Sequence, residues 1–179
     1  MRKVALDQVS VFLADGAIKV TRLDGTWRIE EERLGSVRFE PKGTVVAEEG
    51  VSDEPSQATV FQLKDVVFPP WPTTEGIPGH FPRVGAVKLF ETDRITVWEQ
   101  TWRAGVVLPL HLHYLRGAGV FLDGGKIRNP ITSKGIAGTP SSRDRDEIVL
   151  NESPIPAPHE EAQAEGTPRE VFVEIKNHQ

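Results

Sequence analysis

The chain has 179 residues, 38 % of them hydrophobic and 26 % charged, and a formal net charge of −5. That length suits one domain with a sizeable core, or one and a half smaller ones. The mild acidic balance, without any basic cluster, excludes a nucleic-acid partner, and the absence of cysteine excludes thiolate catalysis, disulfides and sulfur-ligated metal.

No apolar run approaches the length of a membrane span. Asp7 and Asp15 interrupt the segment after Met1-Arg2-Lys3, which is not the pattern of a secretory leader. The expectation is a water-soluble, cytoplasmic protein with no membrane partner. Along the chain, 16 glycines and 14 prolines punctuate short runs rich in Val, Ile, Phe, Thr and Trp. These runs cover residues 9–13, 17–22, 26–30, 37–40, 59–63, 95–102, 119–122 and 171–175. Several alternate apolar and polar residues, as in Ile95-Thr96-Val97-Trp98-Glu99-Gln100. Asp15-Gly16, Asp24-Gly25 and Asp123-Gly124-Gly125 read as turns between runs. No window keeps a helical period. Short strands at this spacing predict an all-β sandwich or barrel.

The chain also repeats itself. Val11-Phe12-Leu13-Ala14-Asp15-Gly16 matches Val120-Phe121-Leu122-Asp123-Gly124-Gly125. Pro41-Lys42-Gly43-Thr44-Val45-Val46 matches Pro154-Ile155-Pro156-Ala157-Pro158-His159, and Thr59-Val60-Phe61-Gln62-Leu63-Lys64 matches Val171-Phe172-Val173-Glu174-Ile175-Lys176. Three blocks in the same order, offset by about 109 to 113 residues, indicate duplicated units. Residues 1–64 read as the back half of a unit and residues 83–176 as a whole one. The proline- and glycine-rich stretch 65–82 between them reads as an extended linker. A half unit leaves an apolar face and a strand edge exposed, to pair either with the complete barrel of the same chain or with another subunit, and a homodimer is the economical expectation.

The second unit carries Leu108-Pro109-Leu110-His111-Leu112-His113-Tyr114. On an extended strand, side chains two apart share a face, with Cα atoms roughly 6.6 Å apart. His111 and His113 are then either a chelating pair or two exposed histidines on an edge strand. Tyr114 points to the opposite face. His80 in the linker and His178 at the terminus read as surface residues.

At these positions the second unit resembles the cupin superfamily. The first cupin motif runs Gly, five residues, His-x-His, three or four residues, Glu, six residues, Gly. Here it reads Gly105, five residues, His111-Leu112-His113, three residues to Gly117, and six more to Gly124. The second motif runs Gly, five residues, Pro-x-Gly, two residues, His, three residues, Asn. It reads here as Pro154-Ile155-Pro156-Ala157-Pro158-His159, with Gln163 in the Asn position. The first copy keeps the second motif from Gly35 through Pro41-Lys42-Gly43 to Val46, which stands where the histidine would be.

The resemblance implies a jelly-roll barrel, with an additional half-unit of strands at the N-terminus. It also implies one divalent transition metal (Fe, Mn, Ni, Cu or Zn) on His111, His113 and His159. Gly117 takes the place of the family's glutamate, so at most a three-histidine site with open positions is expected. This pattern is similar to that of cupin dioxygenases, and it implies an oxygenase of a small organic substrate. The alternative is a non-catalytic cupin module, binding a small ligand or serving in assembly, with a decayed metal site. Around the site, Glu160 and Glu161 either orient a ligand histidine, supply a base, or form a solvated rim. Trp98 and Trp102 share a strand face and either line a pocket or fill the core. Arg103 and Arg116 flank the motif as candidate clamps for a carboxylate.

Overall fold

Fourteen strands and no helix make up the described residues of the computed structural model, which are 1–66, 68–69, 71–129, 138–151 and 158–176. No helix among them is long and apolar enough to cross a membrane. The chain divides into two compact units, Met1–Val66 and Val67–Gln179.

The first unit holds β1 (Arg2–Lys3), β2 (Asp7–Phe12), β3 (Gly16–Arg22), β4 (Trp27–Glu32), β5 (Val37–Glu40), β6 (Val45–Gly50) and β7 (Ala58–Leu63). They form a four-stranded sheet, β1-β6-β3-β4, and a three-stranded sheet, β5-β2-β7. The Asp24-Gly25 turn closes the β3–β4 hairpin. Gly25 takes φ 83°, where a side chain is unfavourable, and the Asp24 carboxylate accepts from Thr26 N at 2.9 Å. Val46 is buried with Ile18 and Val20 in an apolar cluster, so this copy packs hydrocarbon at the position that holds a histidine in the other. Elsewhere in this unit Arg38 pairs with Glu30, Glu32 and Glu48.

The second unit holds β8 (Ala86–Glu91), β9 (Ile95–Thr101), β10 (Val107–His111), β11 (Gly117–Arg128), β12 (Ser141–Arg143), β13 (Ile148–Asn151) and β14 (His159–Ile175). They form one seven-stranded sheet in the order β12-β11-β14-β9-β8, with β10 added to β14 and β13 to β11. Antiparallel partners directly opposite each other project to the same face. The register pairs Trp98 with Phe172 and Gln100 with Glu170. It also sets Gly117, Gly119 and Phe121 opposite Glu174, Phe172 and Glu170. That face bears the polar site. The other face carries Ile95, Val97, Val120, Leu122, Val171 and Val173, each at most 2 % exposed, which accounts for the hydrophobic runs in the sequence.

Two expectations need correction. Asp123-Gly124-Gly125 does not end a strand. β11 runs through it, and the ladder with β14 shifts register between Phe121 and Asp123 and again between Asp123 and Gly125. Glycine here accommodates β-bulges rather than a hairpin turn. The segment before β8 is not a free spacer either. Trp71 and His80 within it are 7 % and 5 % exposed, and Gly79 forms a parallel bridge with Leu112. Residues 154–157 of the second motif, and His178, lie outside the described residues.

Candidate functional site: a three-histidine, one-glutamate cluster

β10 and β14 pair so that His111 lies directly opposite His159, and His113 follows two residues beyond His111. Period-two geometry turns His111 and His113 to one side, and His159 meets them from the neighbouring strand. The same rule acts again on β14, where Glu161 is two residues from His159 and shares its face. One donor atom from each of His111, His113, His159 and Glu161 lies within 4.8 Å of all the others. The ring centroids of His111 and His159 are 4.4 Å apart, and those of His113 and His159 are 5.3 Å apart.

Hydrogen bonds set the roles of individual atoms. His111 Nδ1 lies 2.8 Å from Pro109 O. A carbonyl can only accept, so Nδ1 carries the proton and Nε2 presents the lone pair. His113 Nε2 is buried and has no hydrogen-bond partner among the described residues, while its Nδ1 lies 3.2 Å from Asn151 Nδ2. Glu161 Oε2 accepts from Arg83 Nη1 at 2.9 Å and from Trp102 Nε1 at 3.2 Å. Its Oε1 faces His159 Nε2 at 3.7 Å.

Electrostatics favour the ligating forms. Burial lowers His111 to about 4 and His113 to about 3, against a partial opposing pull from Glu161. Both rings are therefore neutral at physiological pH. Burial would raise the Glu161 carboxyl, but the Arg83 charge, with His159 facing the other oxygen, outweighs it and holds the group well below the usual carboxylate range. Glu161 is thus an anion. Three imidazoles and a carboxylate suit a first-row divalent ion.

These residues fit a metal on two observations: the converging donors, and the orphaned His113 Nε2 that an ion would satisfy. One contact competes. Arg83 Nη1 also lies 3.0 Å from His111 Nε2.

A cavity of about 280 Å³ opens on His113, His159 and Glu161, with Trp102, Phe172 and Glu170 among its other walls. It is at the small end of ligand pockets, which span roughly 300–1,000 Å³. Glu170 is 4 % exposed, and its Oε1 has no partner among the described residues. Burial pushes it up to about 8, with Arg83 opposing, so it is protonated at neutral pH. Gly119 makes room for this carboxyl, since a Cβ there would lie 1.9 Å from Glu170 Oε1.

The structure sorts the remaining sequence candidates. Trp102 lines the cavity. Trp98 stacks on Phe81 at 5.1 Å and donates to Glu174 at 3.3 Å. Gln163 donates to Gly166 O at 2.7 Å, and neither it nor Glu160 lines the cavity or joins the donor cluster. Arg103 is exposed, and Arg116 lies over the rings of Phe68 and Trp71 at 4.5 and 4.7 Å. Neither reaches the cluster. Tyr114 donates to Ile77 O at 2.9 Å and is not a ligand.

The expectation of at most three ligands is corrected by Glu161, a carboxylate supplied from β14. Gly117 cannot supply one, because any Cβ there would lie 2.3 Å from the Phe172 ring and 2.6 Å from Val173 O. The surface reading of His80 is also corrected: the ring stacks on His113 at 3.8 Å between centroids. Its position follows from the Gly79–Leu112 bridge, which lays residues 78–81 along the histidine strand. Arg83 was the other residue missed, having no strand pattern around it to mark it as inward-facing.

No family model matches the chain, and no curated protein matches it in sequence. Solved structures do match in fold. A cupin 2 conserved barrel domain protein from Leptotrichia buccalis aligns over 98 % of this chain and 76 % of its own, at 14 % identity and a TM-score of 0.53. AerE from Microcystis aeruginosa aligns over 97 % of this chain and 79 % of its own, at 12 % identity and a TM-score of 0.63. A formate complex of oxalate decarboxylase from Lactobacillus farciminis aligns over 98 % and 72 %, at 12 % identity and a TM-score of 0.59. Along nearly its whole length the all-β chain therefore shares the fold of these structures, a cupin-type barrel protein among them.

Proposed function

We propose that the second unit binds one divalent transition metal on His111, His113, His159 and Glu161 and presents a small organic ligand to it, with oxygenase chemistry as the reaction class. The observation that carries this reading is the convergence of four donor atoms within 4.8 Å at the wall of a cavity of about 280 Å³. The similarity in fold to an oxalate decarboxylase supports a ligand of small organic-acid type. When bound, the metal supplies open coordination positions that polarise a ligand and, for iron, manganese or copper, electrons for reaction with O₂.

The protein's own residues do the rest. Pro109 O fixes the tautomer of His111, and Trp102 and Arg83 hold Glu161 Oε2 so that Oε1 is turned toward the histidines. Trp102, Phe121 and Phe172 supply apolar surface in a cavity wall that is otherwise largely polar. Glu170 holds a proton at Oε1 or Oε2 at the same wall.

Metal analysis after reconstitution tests the reading. About one equivalent of Fe(II), Mn(II) or Zn(II) is expected, with at least tenfold weaker binding in H159A. Less than about a tenth of an equivalent, unchanged on adding any of these ions, would refute it.

A second reading has one specific observation in its favour. The buried Arg83 guanidinium already supplies a positive charge to Glu161, as a non-catalytic cupin module with a degenerate metal site would need.

A further inference from the structure

We infer that Arg83 is a built-in competitor for the metal, so that loading the cluster requires its guanidinium to leave His111 Nε2. This rests on the metal-binding reading above, and it assigns a role to a residue that belongs to neither cupin motif. Three observations carry it.

The first is position. Arg83 Nη1 lies 3.0 Å from His111 Nε2 and 2.9 Å from Glu161 Oε2, touching two members of the donor set with one nitrogen. The second is atom identity. Because Pro109 O holds the proton on His111 Nδ1, Nε2 is the only ring nitrogen of His111 that can ligate. That is the atom Arg83 approaches, so it accepts an N–H bond and cannot give the same lone pair to a metal. The third is burial. The Arg83 side chain is 4 % exposed, its Nε donates to Gln100 Oε1 at 3.0 Å, and Nη2 is buried without a partner among the described residues.

A guanidinium does not give up its proton in a protein. Its charge therefore opposes a divalent ion a few ångströms away, in a site where water cannot screen it. Neutralisation is not an available way out, so the conflict is relieved by movement.

Glu161 is affected differently from His111. Its two oxygens are divided, Oε2 to Arg83 and Trp102 and Oε1 toward His159, so it can ligate through Oε1 while Arg83 stays on Oε2. The contested atom is His111 Nε2. Arg83 thus sets the affinity of the cluster and, in the metal-free protein, stands in as the cation that balances Glu161.

The test compares equilibrium Zn(II) and Mn(II) binding to the full-length wild type and to R83M, which keeps the apolar stem but has no donor. Binding at least tenfold tighter in R83M, with a larger rise in melting temperature on adding metal, is expected. R83K keeps a charge but lacks the planar fork, and it should fall between the two. If R83M fails to fold, R83A titrated with free guanidinium at low millimolar concentration serves instead. There, added guanidinium should weaken metal binding competitively, and it should not do so in the wild type.

Unchanged or weaker binding in R83M, or no guanidinium effect in R83A, overturns the inference and leaves Arg83 only as a support for Glu161. Loss of binding in H159A alongside an unchanged R83M would sink this inference while leaving the metal reading intact. No binding in either the wild type or R83M would sink both.

Discussion

Replacing Glu170 with Gln changes how the stability of the second unit varies with pH. Burial raises this carboxyl from 4.5 to about 8, and its Oε1 lacks a partner among the described residues. In the unfolded chain the same group ionises near its ordinary value. The direction follows from the folded state holding its proton longer. Glu170's contribution is complete below about pH 4.5 and is progressively lost as the pH rises toward 8, because the unfolded form releases a proton that the folded form keeps. Each pH unit in that window costs about 1.4 kcal/mol, so the full shift corresponds to at most ~5 kcal/mol.

Gln has the same shape and cannot ionise. The fixed cost of its amide appears at every pH, whereas the carboxyl term does not. Urea unfolding of wild type and E170Q in the presence of a chelator, at steps across that pH window, isolates the difference. Tryptophan fluorescence reads the second unit through Trp71, Trp98 and Trp102 once Trp27 is replaced by Phe. The stability difference should tilt toward E170Q by several kcal/mol from the acid to the alkaline end. A difference that stays constant across the window would show that Glu170 is not held protonated by its surroundings.

Gly117 occupies the position of the family's glutamate, yet G117E should not recover a ligand. The side chain would meet the Phe172 ring and Val173 O at its first carbon. G117A alone should cost about 1–3 kcal/mol by overpacking, read by thermal melting, and a G117E protein as stable as wild type with tighter metal binding would contradict this. W102F removes the Nε1 donor to Glu161 and should lower stability by about 1.5–3 kcal/mol, the range of a hydrogen bond to a charged group. No loss on denaturant titration would mean Arg83 alone satisfies that oxygen.

Strand identity was legible wherever the sequence alternates or runs apolar, as in β9, where Trp98 and Gln100 face the site and Val97 the other side. The histidine triad was legible too, because period two and a motif marked His111 and His113, and the motif marked His159. Glu161 could have been found by the same period-two rule, since His159-x-Glu161 repeats the logic of His111-x-His113. The motif marks a different position for its carboxylate, and here that position holds Gly117. Arg83 and His80 were not legible, because His80 sits in, and Arg83 directly follows, a proline- and glycine-rich segment whose path is set by one backbone bridge to Leu112. The bulges at Asp123-Gly124-Gly125 and a hairpin turn have the same local chemistry, and only pairing with β14 separates them.

β14 carries His159 and Glu161 at one end and Glu170, Phe172 and Glu174 toward the other, over 17 residues. Strict period two would set His159 and Glu161 on the face of Val171 and Val173. They share the face of Glu170 and Phe172 because the ladder of β14 with β11 shifts register between the two ends. Burial of Val171 and Val173 therefore fixes only the Glu170 end, and the irregular stretch around Gly166, at φ 70°, turns the other end over so that both β14 donors meet the histidines of the loop and strand beside it.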